Sequence, residues 1–263
     1  MASYTHGHHE SVLRSHSNRT IANAAEYLRP HLRPTTRLLD VGAGPGTITL
    51  DFAAHVAHVT ATEVGEAELA LSRTLAESQN VSNVSFAVED VHALSFADAS
   101  FDIVHAHQVL QHVADPVQAL REMKRVTVPG GIVAARDADY AGFIWFPVLP
   151  ELDEWLRLYR AATKANGGEP DAGRQLLSWA RAAGFQDVTA TASTWCYATP
   201  EERAWWGGMW ADRILESALA RQLIDSKMAT IAQLQSISDA WKRWADAGDG
   251  WYLIPHGEII CRA

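Results

Sequence analysis

A glycine-rich turn and three acidic residues carry the chemistry that this chain can do. Asp40 closes the apolar run Leu38-Leu39, and Gly42, Gly44 and Gly46 follow at every second position, with Ala43 between the first two. Glycines permit positive φ and let a ligand press against bare backbone. A helix-compatible segment opens at Thr47, and free N–H groups at a helix start favour anionic or electron-rich ligand atoms. Glu63 ends the next β-branched run, where a carboxylate can accept hydrogen bonds from both hydroxyls of a ribose. Asp90, in Val88-Glu89-Asp90-Val91, can accept from an adenine amino group, while Val91 offers backbone and a dry wall. Such a set binds a nucleoside. It departs from the dinucleotide fingerprint G-x-G-x-x-G, which counted from Gly42 wants Gly or Ala where Thr47 stands.

The elements that must position these residues follow from periodicity. Residues 1–16 read as a polar arm, and Ser17 to Leu32 has a helical pattern ended by Pro30 and Pro34. Strands are expected over Arg37–Val41, His58–Glu63, Val84–Val88, Phe101–Ala106 and Ile132–Arg136. Helical stretches alternate with them: Thr47 onward, Leu69–Ala76, and one opened by Asp115-Pro116, an N-cap followed by proline in the first turn. Strand and helix alternation predicts a parallel, doubly wound α/β sheet. In such a sheet the carboxyl ends of the strands hold the ligand, which is where Asp40, Glu63 and Asp90 fall.

Beyond residue 136 the character changes. Helices are expected over Leu149–Ala165 and Leu176–Ala183, then a strand over Asp187–Ala192. Thr199-Pro200-Glu201-Glu202 is a capping box opening a helical region that runs to about Ala247 with a break near 220–225, and Trp251–Cys261 reads as a last strand. The boundaries expected are an arm and helix over 1–34, a Rossmann-like core over 35–137, a helical insertion over 138–182, a core strand over 183–194, a helical lid over 195–250 and a final strand over 251–263. All ten tryptophans lie after residue 144. Most are expected to pack helix on helix, and Trp145, Phe146, Trp206 and Trp210 are candidates for lining an apolar substrate pocket.

Composition narrows the classes. The 263 residues carry a formal net charge of −9, a poor match for nucleic acid, whose affinity rests on Lys and Arg contacts to phosphate. Cys196 and Cys261 stand in no metal or redox spacing, which argues for a reducing, cytoplasmic setting. No apolar run is long enough to span a membrane, and the first residues have no signal-peptide pattern. Four of the twelve histidines fall between His6 and His16 without accompanying carboxylates or thiols, so no metal site is assigned.

The ordered motifs resemble those of the class I S-adenosylmethionine (SAM)-dependent methyltransferases, and within them the UbiE-like small-molecule group. D-x-G-x-G-x-G from Asp40 is similar to their first motif. The run from Asp90 through Phe96-Ala97-Asp98-Ala99-Ser100-Phe101-Asp102 to Val104 resembles D-x-x-x-L-P-F-x-D-x-S-F-D-x-V. Val109 to Pro116, Arg125 to Gly131 and Ala183-Gly184-Phe185 match later motifs, so the likeness covers roughly residues 36–193. The arm Tyr4-Thr5-His6-Gly7-His8-His9 is similar to a leader of a UbiE-like subgroup. The resemblance implies a seven-stranded sheet of order 3-2-1-4-5-7-6 with strand seven antiparallel, and 138–182 and 195–250 as additions forming a helical lid. It implies SAM as cofactor and S-adenosylhomocysteine as product. Gly42 and Gly44, with Ala43, would lie against the methionine and ribose part, Asp40 would orient that part, and Glu63, Asp90 and Val91 would take ribose and adenine. His107 would offer a backbone carbonyl to the amino group, and Tyr4, His16 and Arg19 would close the amino-acid end.

The expected reaction is methyl transfer to an O, N or C nucleophile of a small aromatic or apolar molecule. A base is needed only if that nucleophile starts protonated. His107, His112, Asp137 and His256 are candidates, His112 read as a packed residue on an apolar helix, and no catalytic residue is assigned. The absence of an N/D-P-P-Y run after the fourth strand argues against nucleic-acid bases as acceptors, and no carboxylate cluster points to a metal-dependent catechol enzyme. Two other readings stay open: a SAM-binding protein without methyl transfer, serving as partner subunit or cyclisation catalyst, and a nicotinamide-dependent dehydrogenase. The second lacks the glycine spacing and a Tyr-x-x-x-Lys pair. Oligomeric state is not legible.

Overall fold

Five parallel strands build the frame of the site. In the computed structural model, which describes residues 18–263, they are β1 (Arg37–Val41), β2 (His58–Glu63), β3 (Val84–Val88), β4 (Phe101–His107) and β5 (Thr127–Ala138). Helices α1 (Thr47–Ala53), α2 (Glu66–Ser78) and α3 (Pro116–Val126) connect them. The chain continues through β6 (Ile144–Phe146), α4 (Pro150–Ala165), α5 (Leu176–Ala182), β7 (Val188–Tyr197), α6 (Pro200–Glu216), α7 (Ala218–Asp225), α8 (Ile231–Asp246) and β8 (Trp251–Arg262). The sheet order is β3-β2-β1-β4-β5-β8, with β7 outside β8, and β8 runs antiparallel to both β5 and β7. With β8 as seventh and β7 as sixth strand, this is the expected 3-2-1-4-5-7-6 arrangement. The three-residue β6 is additional and pairs with the start of β8 through Ile144↔Leu253 and Phe146↔Trp251.

Burial explains the long apolar stretches of the central strands β1, β4 and β5. One face of the sheet packs Leu39, Val104, Val133 and Ile259 against Leu120, Met123 and Phe185. The other packs Leu38, Val59 and Ile103 against Phe52, Ile21 and Leu28. A parallel sheet covered on both faces loses the polar alternation of a half-exposed one. Asp115 caps α3 as its motif predicts, its side chain accepting from the Gln118 backbone N–H at 2.9 Å.

A third core belongs to the helices over the carboxyl edge. Trp155, Trp210, Trp241 and Trp244 are fully buried there among α4, α6 and α8, with Trp155 edge-on to Trp210 and Trp241 at 4.6 and 5.0 Å between centroids. These tryptophans pack helix on helix, as their spacing suggests. The capping box at Thr199 is formed: its side chain accepts from the Glu202 N–H, and Glu202 accepts from the Thr199 N–H.

Several local expectations change. The helix read over Ser17–Leu32 is a π-helical turn, Ile21–Ala25, followed by a 3₁₀ turn, Glu26–His31. Pro30 lies inside that second turn, and its missing N–H denies an α-helix one of its bonds there. β7 runs on to Tyr197, because Ser193 to Tyr197 keep pairing with β8 as far as Tyr252. The helical break expected near 220–225 is instead a short helix, 218–225, flanked by breaks at Ser217, whose backbone is extended, and over 226–230.

Candidate active site

One cavity of about 370 Å³ opens at the carboxyl ends of β1, β2 and β4 and continues under the tryptophan-rich helices. Its first half is made by Gly42, Ala43, Gly44, Glu63, Asp90 and Val91. These are the six residues whose types and spacing suit the methionine, ribose and adenine parts of SAM, and the fold brings them together. The loop needs glycine at specific points. Gly46 sits at φ +85°, and a Cβ there would come within 2.1 Å of the Ser72 hydroxyl oxygen on α2. A Cβ on Gly42, at φ +67°, would stand 2.5 Å from a Val109 methyl.

Glu63 does more than wait for a ligand. Its Oε1 accepts the Gly44 N–H at 2.8 Å and its Oε2 accepts the Val64 N–H at 3.3 Å. The carboxylate therefore sets the loop's shape while lining the cavity. Burial raises its pKa, and those two backbone N–H groups oppose the rise. Asp90 accepts from the His92 backbone N–H at 2.9 Å and pairs with His92 Nδ1 at 2.6 Å. The backbone bond comes first among the causes that lower its pKa. Val91 is buried beside it.

Asp40 lies at the cavity wall, but its carboxylate is engaged by the fold. Oδ2 accepts from the Thr49 hydroxyl at 2.6 Å, and Oδ1 lies 2.8 Å from His105 Nδ1, both partners buried. It ties α1 to β4 across the start of the loop. Asp40→Ala strands the Thr49 hydroxyl and the His105 ring nitrogen away from water. Leaving buried polar groups unmade costs about 1–3 kcal/mol each. A loss of about 2–4 kcal/mol is expected, read as a lower urea midpoint at unchanged slope, with Asp40→Asn milder.

The second half of the cavity is aromatic: Tyr140, Phe143, Trp195, Trp206 and Trp210 face it. Trp206 and Trp210 line it, as expected from the sequence. Trp145 and Phe146 are not on the cavity. They lie on β6, where alternation turns Trp145 onto the Tyr252 ring at 5.7 Å and leaves Phe146 half-exposed on the other side. Tyr4 and His16 lie outside the described residues. Arg19 reaches the cavity from the chain's first described segment. Its Nη2 donates to Gln108 Oε1 at 2.7 Å, and its guanidinium lies 5.8 Å from the Trp195 ring centre.

Of the candidate bases, His107 and His112 line the cavity; Asp137 and His256 do not. His107 is buried at the end of β4, and burial first, then the charges of Arg19 and Arg136, hold its pKa well below the usual histidine value. His112 ends a 3₁₀ turn, Leu110–His112, instead of riding an α-helix, because the chain turns extended at Val113 before α3 begins. Burial and Arg19 lower its pKa to about 4. Asp137 sits behind the wall, accepting the Gln111 backbone N–H at 3.1 Å, and burial pushes its carboxyl up to about 7. His256 touches the site through Gln108: the amide nitrogen donates to His256 Nε2 at 3.0 Å, while Nδ1 donates to the Ile254 carbonyl. Among the described residues no three His, Cys, Asp or Glu side chains gather as a metal site, and no helix is long and apolar enough to cross a membrane.

Comparison with known proteins decides the family. A family model described as "Methyltransferase domain" matches residues 39–135. An uncharacterized methyltransferase of Schizosaccharomyces pombe is 35% identical over 268 residues, covering 98% of this chain and 95% of that one. The chain belongs to the SAM-dependent methyltransferases. Solved structures share the fold. The YcgJ protein of Bacillus subtilis superposes with a TM-score of 0.57 at 20% identity, covering 97% of this chain and 99% of that one. Phosphoethanolamine N-methyltransferase 2 of Haemonchus contortus, in complex with phosphomonomethylethanolamine and S-adenosylhomocysteine, has a TM-score of 0.57 at 19% identity, covering 90% and 51%.

The methyltransferase's cofactor is SAM, and the first half of the cavity suits it: a loop without side chains, a rim carboxylate at Glu63, a second at Asp90 and an apolar floor at Val91. Sequence reasoning missed Gln108, Gln111, Tyr140, Phe143, Trp195 and Arg213, all of which line the cavity. Arg213 had a signal: Trp206, Trp210 and Arg213 fall at i, i+4 and i+7, one face of α6. Gln108 had none, since its place depends on Arg19 and His256, far away in sequence.

Proposed function

We propose that the enzyme moves the SAM methyl group to an O, N or C nucleophile of a small aromatic or apolar metabolite. The observation that carries this is the continuity of one cavity from the glycine loop to the wall of Trp206 and Trp210. In this reading Glu63 holds the ribose hydroxyls, Asp90 the adenine amino group, and Val91 the adenine face. Gly42, Ala43 and Gly44 allow close approach of the methionine part. Arg19, placed by Gln108 and Trp195, pairs with its carboxylate, and the His107 backbone carbonyl meets its amino group. Residues 35–137 form the cofactor-binding core. The stretches 138–182 and 195–250 cover it as a lid.

The sulfonium of bound SAM supplies an already activated methyl group. The chain's own residues orient the acceptor and exclude water. Holding two reactants in line can lower a barrier by about 7–11 kcal/mol in favourable cases, so aromatic walls and a dry floor suffice for much of the task. Two cysteines without a disulfide and the acidic chain suit a cytoplasmic enzyme that acts on small molecules and not on nucleic acid. The test is incubation with methyl-labelled SAM and a panel of hydroxylated, aminated and unsubstituted aromatics. Label in an acceptor with one S-adenosylhomocysteine per transfer is expected. Saturable SAM binding without transfer across the panel would point instead to a SAM-binding protein without methyltransferase activity.

A further inference from the structure

The aromatic half of the cavity contains three polar side chains, all buried, that leave atoms without a hydrogen-bond partner among the described residues. His107 has both ring nitrogens so placed, Gln111 its Oε1 and Trp206 its Nε1. All three residues line the cavity. A buried polar atom left unpaired costs about 1–3 kcal/mol, and native proteins keep few. Four of them on three residues of one cavity, from β4, the turn after it and α6, form a hydrogen-bonding set aimed at a ligand. Trp206 Nε1 can only donate, Gln111 Oε1 can only accept, and a neutral histidine does both. A hydroxyl group, at once donor and acceptor, satisfies such a set. A tertiary amine or a bare hydrocarbon does not.

His107 occupies the junction of the two halves. The register Val41↔Ala106 between β1 and β4 brings Gly42, the first loop glycine, alongside His107 at the strand ends. On its other side the imidazole lies 5.9 Å from the Trp195 ring and 6.4 Å from His256. The side chain thus stands between the cofactor loop and the aromatic wall.

Resting on the methyltransferase reading above, we infer that the acceptor is a hydroxylated aromatic and that His107 accepts its hydroxyl proton as the oxygen is methylated. A lone pair of the hydroxyl oxygen forms the O–CH₃ bond. The S–CH₃ bond breaks with its electron pair going to sulfur, which leaves a neutral thioether. The O–H proton passes to an imidazole nitrogen, and the imidazolium releases it to solvent when the product leaves. Burial first, then Arg19 and Arg136, make His107 a weak base, which is no obstacle. Attack turns the hydroxyl into an oxonium, a far stronger acid than imidazolium. The same burial and cations hold the imidazole neutral beforehand, so its lone pair is available in the resting enzyme. The acceptor in this assignment is a phenol-bearing molecule, and the enzyme an O-methyltransferase.

The test separates binding from turnover. With enzyme saturated by S-adenosylhomocysteine, calorimetry compares 1-naphthol with naphthalene, which has the same shape and no hydroxyl. The expected result is at least tenfold tighter binding of 1-naphthol, falling to about twofold in His107→Leu and largely restored in His107→Gln. The dissociation constant for S-adenosylhomocysteine should stay within about threefold in both variants, since the cofactor meets only the backbone of this residue. Retained cofactor binding also shows that the variants are folded. In single-turnover transfer to 1-naphthol, His107→Gln should be at least 100-fold slower than wild type. Equal affinity of wild type for the two probes overturns the subsite, even if amines in the panel are methylated. A preference unchanged in His107→Leu, or transfer by His107→Gln at the wild-type rate, overturns the role of His107. A hydroxyl preference that His107→Leu abolishes, in a protein that methylates nothing, keeps the subsite and sinks the methyltransferase reading.

Discussion

Gly257→Val is expected to unfold the enzyme at markedly lower temperature, although residue 257 touches neither half of the cavity. Gly257 lies in mid-β8, opposite Asp137 of β5 and Ala192 of β7. The 3₁₀ turn Ala172–Gln175 crosses the sheet at that point, so close that a Cβ on Gly257 would lie 2.0 Å from the Gly173 carbonyl oxygen and 2.9 Å from its Cα. The approach is reciprocal: a Cβ on Gly173 would meet the Gly257 nitrogen and the Asp137 carbonyl oxygen at 2.8 Å. These are backbone atoms, and no side chain can swing away to make room. The turn is also pinned, with Arg174 forking onto Asp139 through two bonds of 2.6 Å and Arg160 reaching Asp171. Overpacking a tight core costs about 1–3 kcal/mol and sometimes more. A backbone-to-backbone contact belongs at or above the upper end, so a loss of about 3 kcal/mol or more and a fall in Tm of about 6–12 °C are expected by differential scanning calorimetry. The displaced turn carries Asp139 with it, next to the cavity-lining Tyr140, so acceptor affinity should weaken as well. Gly208→Ala is the control. That glycine is in mid-α6 with nothing within 4 Å of its missing Cβ, and the change should stabilise by about 0.5–1 kcal/mol.

Gly257 and Gly173 also show where reading the sequence stops. The glycine-loop half of the cavity was legible, because Gly42, Gly44, Glu63 and Asp90 each end or follow a strand whose period is plain. Strand ends of one parallel sheet must meet at one edge, so local pattern suffices to gather them. The aromatic half is assembled differently. Trp195 reaches the cavity only because β7 extends five residues past Ala192, to Tyr197, pairing with a strand some sixty residues later. Trp145 and Phe146 read as cavity residues by composition, yet their place was decided by the pairing of β6 with β8. The chain from Arg19 through Gln108 to His256 joins three segments that no periodicity links. The tryptophan count predicted an aromatic lid and could not say which rings face inward, since a core and a pocket wall ask for the same side chain.

Glu63→Ala should raise the dissociation constants of SAM and S-adenosylhomocysteine by roughly 10- to 150-fold. That range corresponds to about 1.5–3 kcal/mol, the worth of hydrogen bonding to a charged group, at about 1.4 kcal/mol per tenfold. Two losses combine. On the proposed reading the carboxylate accepts from both ribose hydroxyls, and alanine removes that anchor. The structure adds the second: Oε1 holds the Gly44 N–H at 2.8 Å and Oε2 the Val64 N–H, so the loop that must receive the cofactor loses its brace. Glu63→Gln separates the two. It keeps one oxygen for Gly44 or for a hydroxyl and gives up the charge, so its affinity should fall between wild type and alanine. Acidity supplies an independent check. Burial lifts the pKa of this carboxyl above the ordinary glutamate value, so it takes up a proton at higher pH than an exposed glutamate does. The proton occupies one acceptor position and removes the charge. Wild-type affinity for S-adenosylhomocysteine should therefore decline as pH falls toward the carboxylate range, while Glu63→Gln, with no proton to gain there, should show a flatter profile. Calorimetric titration of the three proteins across that range decides the matter. An alanine variant that binds like wild type would mean that Glu63 neither anchors the ribose nor is needed to hold the loop in its binding shape.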